Sequence, residues 1–135
     1  MTIEQYTNLA TFNGWSRIDM LLEIYDCAIS SFQQAKTSLE AENEMEFVQH
    51  FMKGQKAILA IHAGLKPDAD DIAFNIARLL HFVLQKIEER DFESAIVVLT
   101  SMRSGFAAIQ IEANQLESKG EIPAMPSDEV FNKAV

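Results

Sequence analysis

The chain has 135 residues, with 20 acidic side chains against 11 basic ones and a formal net charge of −9. That length suits one domain of ordinary size, and a composition of 48% hydrophobic and 23% charged residues is that of a globular chain and not a disordered one. The acidic balance argues against nucleic acid and against an anionic membrane surface, because both are gripped by clustered Lys and Arg. Five Gly and three Pro are too few for a turn-rich β-sandwich or barrel, so the expected class is all-α.

One cysteine, Cys27, allows no intramolecular disulfide and suits a reducing compartment. The segment Met1 to Tyr6 has neither a basic start nor a long apolar run, so it does not read as a secretory signal. The longest apolar stretches, such as Ala95 to Leu99, fall far short of the roughly 20 residues that span a bilayer. A cytoplasmic location is expected.

Residues 1–15 carry Ile3, Tyr6, Leu9, Phe12 and Trp15 at steps of three. This spacing suits a short helix or an irregular segment lying across the rest. A long helical stripe follows at Ile18, Leu21, Tyr25, Ala28, Phe32, Ala35 and Leu39, in alternating steps of three and four. Ser16 is the expected N-cap, with Asp19 three residues on. Asn43 and Glu46 form a similar start signal for a second stripe at Phe47, Phe51, Gly54, Ile58, Ile61 and Leu65, which Gly64 and Pro67 end. Gly54 inside that stripe points to close approach of a neighbouring helix.

A third helix starts in the Asp68 to Asp71 cluster, whose carboxylates complement the helix dipole, and runs through Ala73, Ile76, Leu80, Val83 and Ile87. A very short link at Arg90-Asp91 forces the next helix to pack antiparallel. The fourth stripe is Phe92, Ala95, Leu99, Met102, Phe106, Ile109, Ala113 and Leu116, ended by Gly120 and Pro123. The expected architecture is an antiparallel up-down four-helix bundle over residues 16–120, with an N-terminal extension at 1–15 and a mobile tail at 121–135.

Catalytic signatures are missing from this sequence. A di-iron bundle needs Glu-x-x-His motifs, but the residues three before His50, His62 and His81 are Phe47, Leu59 and Arg78. There is no phosphate-binding Gly-x-x-x-x-Gly-Lys-Ser/Thr and no Gly-x-Ser-x-Gly. Cys27 sits mid-helix beside Asp26, with no basic neighbour in sequence to activate it. No enzyme activity, metal or other cofactor is expected.

Apolar helix surface is instead in excess. Second lines run through Met20, Ile24 and Cys27; through Met45, Val48, Met52 and Leu59; through Phe74, Leu79, Phe82 and Leu84; and through Ile96, Val97, Val98, Ala107 and Ile111. Such surplus marks a partner interface, and Met and Phe suit a groove that accepts amphipathic helices. A helix-binding protein or a homo-oligomer would each account for it.

The first long helix, Ser16 to Ile29, resembles the opening helix of the flagellar secretion chaperones, the FliS family. That family's pattern is Thr/Ser-x-x-Glu-Leu, a short aliphatic run, then Leu-Tyr-Asp-Gly-Ala. Ile24-Tyr25-Asp26-Cys27-Ala28 sits on its core, with Cys27 in place of Gly. Lys53-Gly54-Gln55-Lys56-Ala57-Ile58 is similar to the family's Lys-Ala-Gln-x-Ile-Ile region, and Ala95 to Arg103 resembles its last helix. Leu79-Leu80-His81-Phe82 departs from its Leu-Tyr-x-Tyr, and Phe106 stands where it has Trp. The likeness spans about residues 6–118.

The resemblance implies a cytosolic chaperone that binds the disordered C-terminal segment of flagellin, prevents its premature polymerisation and hands it to the flagellar type III export machinery. The expected contacts are Met20, Ile24, Cys27, Lys53, Gln55 and Ile58 on outer grooves, with Tyr6, Leu9 and Phe12 on an extension that covers a groove until the client binds. The other reading is a non-catalytic adaptor or self-associating bundle unrelated to export.

Overall fold

The computed structural model describes residues 1–13, 15–68 and 70–123, and of Phe12 and Asn13 only the backbone. Among the described residues there are six helices and no strand: α1 (Ile3–Asn13), α2 (Ile18–Glu40), α3 (Glu44–Ala63), α4 (Asp71–Glu88), α5 (Phe92–Ala107) and α6 (Gln110–Ser118). The chain is all-α. No single helix is long and apolar enough to cross a membrane.

The apolar stripes become the core. Ile18, Leu21, Tyr25, Ala28, Phe32 and Ala35 of α2 are buried, whereas Leu39 at its end is exposed. Ile58 and Ile61 of α3, Leu80 and Val83 of α4, and Ala95 and Leu99 of α5 are fully buried beside them. α2 is the central helix, packed most extensively on α3 and also against α5 and α6. α4 packs on α5 and touches α3 over a shorter stretch. Burying one such side chain stabilises the fold by about 1.5–3 kcal/mol, so the stripes outweigh any single cap or ion pair.

Two of the links share one construction. After α2, Glu42 takes a left-handed φ of 57°, its N–H donates to the Leu39 carbonyl, and the Asn43 N–H donates to the Ser38 carbonyl. Asn43 then caps α3 by accepting from the Glu46 N–H at 3.2 Å. After α4, Arg90 has φ 64°, with the matching bonds to Ile87 and Lys86. Asp91 caps α5 by accepting from the Ser94 N–H at 3.2 Å. Each link thus satisfies the open carbonyls of one helix and an open N–H of the next within three residues. Asp70 caps α4 in the same manner, accepting from the Ala73 N–H at 2.7 Å.

Three sequence expectations are corrected. The N-cap of α2 is Arg17, which makes no side-chain cap bond, while Ser16 is fully buried. The stripe from Phe92 to Leu116 is two helices, because α5 and α6 are bent by 51° at Ala108–Ile109. The bend keeps Ile109 and Ala113 buried while turning α6 onto α1 and α2, where Gln110 and Asn114 donate to the Asp19 carboxylate at 2.8 and 3.0 Å. Residues 121–123 are not free of the fold: the Glu121 N–H caps α6 at the Leu116 carbonyl, and Ile122 is buried. The remainder of the expected mobile tail, 124–135, lies outside the described residues.

Candidate partner-binding surfaces

Three surfaces hold the residues expected to bind a partner. The first is the seat of α1. This helix lies against α4 and α6, and buries Tyr6, Leu9 and Ala10 completely. Phe106 of α5 forms the floor, with the rings of Tyr6, Trp15 and Tyr25 at centroid distances of 6.3, 6.0 and 5.6 Å. The first two meet it edge-on, an arrangement the aromatic quadrupole favours.

That apolar seat leaves polar atoms stranded. The hydroxyls of Tyr6, Ser16 and Tyr25 are buried with no hydrogen-bond partner among the described residues. An unsatisfied buried hydroxyl costs about 1–3 kcal/mol. Burial pushes both phenols far above the usual tyrosine range, and the nearby charges of Glu117 and Asp19 add to the effect on Tyr6. Phe12 belongs to α1, but its side chain lies outside the described residues.

The second surface is a furrow between α2 and α3. Glu23, Asp26, Cys27, Ser30, Ser31, Gln34 and Lys53 line an open cleft of about 420 Å³ there. It brings together two of the expected contacts, Cys27 and Lys53, among Glu, Asp, Ser and Gln side chains whose apolar parts form much of its wall. The Cys27 thiol is 4.0 Å from the Ser31 hydroxyl. Met20 and Ile24, expected on an outer groove beside Cys27, are buried, at 8% and 2% exposure. Ile58 is fully buried as well, and Gln55 is half-buried away from the cleft lining. The reason is the central place of α2: with α3, α5 and α6 around it, Met20 and Ile24 of its second apolar line are covered, and only Cys27 stays half-buried at the cleft.

The third surface is exposed apolar side chain on α3, α4, α5 and α6. Met45, Val48, Met52 and Leu59 stand out on α3, and Phe74, Leu79 and Phe82 on α4. Val97 of α5 and Ile111 of α6 are 67% and 76% exposed, so part of the apolar surplus does reach solvent. No family model, curated protein or solved structure matches this chain.

The residues that carry the resemblance have visible structural work. Tyr25 packs on Phe106, and Ala28 is buried in the core. Asp26 accepts from Nε and Nη2 of Arg103 on α5, the second bond at 3.1 Å, which ties α2 to α5 at the surface. Phe106 itself had no assigned binding role in the sequence. Its long-range meeting with Tyr6 and Trp15 has no signal in local spacing. Among the described residues no group of three or more His, Cys, Asp or Glu side chains is placed to hold a metal ion.

Proposed function

We propose that this protein is a non-catalytic, cytosolic helix-binding chaperone of the FliS type, whose client is the disordered C-terminal segment of flagellin. We further propose that α2, α3, α4 and α5–α6 form an antiparallel up-down four-helix bundle. The three-residue links and the packing of α2 on α3 and α5, and of α4 on α5, support that arrangement.

One observation carries the functional reading. An amphipathic helix of the chain's own, α1, already lies on an apolar seat through Tyr6 and Leu9, yet the hydroxyls of Tyr6, Ser16 and Tyr25 find no partner among the described residues. Such a seat suits exchange. A client helix laying its apolar face there would replace α1, and the stranded hydroxyl of Tyr6, the one on α1 itself, lowers the cost of releasing it. Ordering the disordered client offsets part of the contact energy, which keeps the complex releasable for export. The furrow at Cys27 and Lys53, with charged heads on an apolar wall, would take an amphipathic stretch of the same client.

Calorimetry with a flagellin C-terminal peptide tests this. Binding is expected, and deletion of residues 1–13 should tighten it, because the closed state taxes the apparent affinity. Absence of binding at about 100 μM peptide, equivalent to an affinity weaker than about −5.5 kcal/mol, would sink the reading. A homodimer held through the α1 seat, with no affinity for the peptide, would favour the self-associating alternative.

A further inference from the structure

Charge is sharply segregated along this acidic chain. From Phe47 to Pro67 there is no carboxylate, and from Ile72 to Ile87 there is none. Those two stretches hold five of the 11 basic residues, Lys53, Lys56, Lys66, Arg78 and Lys86, and all three histidines. They form most of α3 and α4, which pack on each other. The same two helices expose the apolar rows Val48, Met52 and Leu59, and Phe74, Leu79 and Phe82.

The rows and the cations interleave. On α3, Glu46, His50 and Lys53 line clefts against α2. At about 100° of rotation per residue, Val48, Met52 and Leu59 fall together on the flank turned away from α2. Lys56 lies four residues after Met52 and three before Leu59, and is exposed between them. On α4, Phe74, Arg78, Phe82 and Lys86 follow one another at steps of four. The Lys86 ammonium sits 5.3 Å from the Phe82 ring centre. Among the described residues neither Lys56 nor Arg78 has an ion-pair partner.

We propose that the α3–α4 face docks an acidic amphipathic helix from a partner protein. Its apolar side would cover Val48, Met52, Leu59 and Phe74, and its carboxylates would pair with Lys56 and Arg78. A polyphosphate fits less well, because the −9 net charge of the chain repels it and the apolar rows would stay uncovered. A second copy of the chain would have to bring an acidic helix with an exposed apolar row, whereas the exposed rows on α3 and α4 are themselves the cationic ones, and on α5 and α6 Val97 and Ile111 stand singly. The face shares α4 with the α1 seat but uses Phe74, Arg78 and Phe82, which are exposed with α1 in place, so the designed peptide tests it independently of flagellin binding.

The probe is a designed peptide of about 18 residues, long enough to lie along most of α3, with a Leu/Phe stripe flanked by Glu. A control carries Lys for each Glu. Fluorescence anisotropy with the full-length protein should give binding of the acidic peptide at least about tenfold tighter than the control, weakening with added salt as paired exposed charges do. Lys56→Glu with Arg78→Glu should remove that preference while the circular dichroism stays unchanged, since both side chains are exposed. Met52→Ser with Leu59→Ser should weaken both peptides. Equal binding of the two peptides, or an unchanged preference in the charge-reversed variant, would overturn the proposal. So would tighter binding of a peptide spanning residues 124–135, of a single-stranded oligonucleotide, or of a second copy in a dimer that the Met52 and Leu59 changes dissolve.

Discussion

Gly64 lies so close to the indole of Trp15 that a Cβ at position 64 would overlap Nε1, Cδ1 and Cε2 of the ring. Trp15 is the second residue after α1 and Gly64 caps the end of α3, so this contact pins the extension to the body of the fold. Gly64 has an ordinary right-handed φ of −81°, so its value lies in the missing side chain and not in backbone freedom. Gly64→Ala should therefore expel a rigid ring that is 2% exposed. Overpacking of this kind costs about 1–3 kcal/mol. A denaturant midpoint that does not fall, or Trp fluorescence that stays blue-shifted, contradicts the arrangement.

Gly54 makes the same point inside α3. A Cβ there would come within 2.6 Å of Cε1 and 2.7 Å of Cζ of Phe32. Phe32 has no room to yield, because it is fully buried against Phe51 and Phe92 at centroid distances of 6.5 and 6.2 Å. Alanine gains about 1 kcal/mol of helix propensity over glycine. The steric cost of moving a buried ring, about 1–3 kcal/mol, exceeds that gain. Gly54→Ala is expected to lower the melting temperature, and a rise would show that the helices are free to separate.

Two non-glycine residues that are left-handed among the described ones, Glu42 and Arg90, separate backbone strain from side-chain contact. Glu42 is exposed at φ 57°, a conformation that costs an L-residue about 1–2 kcal/mol and glycine little. Glu42→Gly should stabilise the fold by about 0.5–1 kcal/mol after the loss of unfolded-chain rigidity is counted. Arg90 has the same backbone, but its guanidinium lies 5.0 and 4.9 Å from the ring centres of Phe47 and Phe51 and donates to the Ile87 carbonyl at 3.1 Å. Arg90→Gly should gain no stability, since it removes cation–π contacts of about 0.5–1 kcal/mol each. Urea melts of the two variants, compared with the parent, decide it.

Much of this fold was legible in spacing alone. Steps of three and four marked the buried faces of α2, α3 and α4, and Asn43 and the Asp68–Asp71 cluster marked two starts, because periodicity and capping are local properties. The break between α5 and α6 was not legible, since the 51° bend leaves Ile109 and Ala113 on the buried side and the stripe reads straight through it. Nor was the burial of Met20 and Ile24, which depends on α2 being enclosed by three neighbours. The left-handed Glu42 and Arg90 carry no glycine signal. At the candidate site, Tyr6 and Leu9 were legible as an apolar step of three, but Phe106, about 100 residues away in sequence, acquires its role only in the folded chain.

Acid should loosen the α2–α6 contact. The bonds from Gln110 and Asn114 hold the Asp19 carboxyl below its ordinary value of 3.8. A depressed folded-state pKa means the contribution is complete above the unfolded value and is lost as pH falls through the folded one. Glu117 has the opposite sign: burial raises its pKa, Arg17 opposes that and Asp19 adds to it. Its protonation relieves a cost as pH falls through the raised value. Stability measured from pH 7 downward should therefore hold or rise slightly before dropping below about pH 4, where carboxylates titrate. Asp19→Ala should flatten the final drop and Glu117→Gln the earlier feature. If both variants keep the parent's profile, α6 is not held by these groups.

Tyr6 links stability to function. Its hydroxyl is buried at the α1 seat without a partner among the described residues, so Tyr6→Phe removes a polar atom and keeps the ring against Phe106. Deleting an unsatisfied buried hydroxyl should stabilise the seated α1 by about 1 kcal/mol. On the proposed function, a firmer seat weakens a client that must displace it, by about fivefold for that energy. Tyr25→Phe removes the other stranded phenol, but from α2, where it stays in place whether α1 is seated or not. It should raise the melting temperature while changing client affinity far less. Peptide calorimetry on both variants checks the pair. Tighter binding by Tyr6→Phe would mean that α1 is part of the binding surface and not its cover.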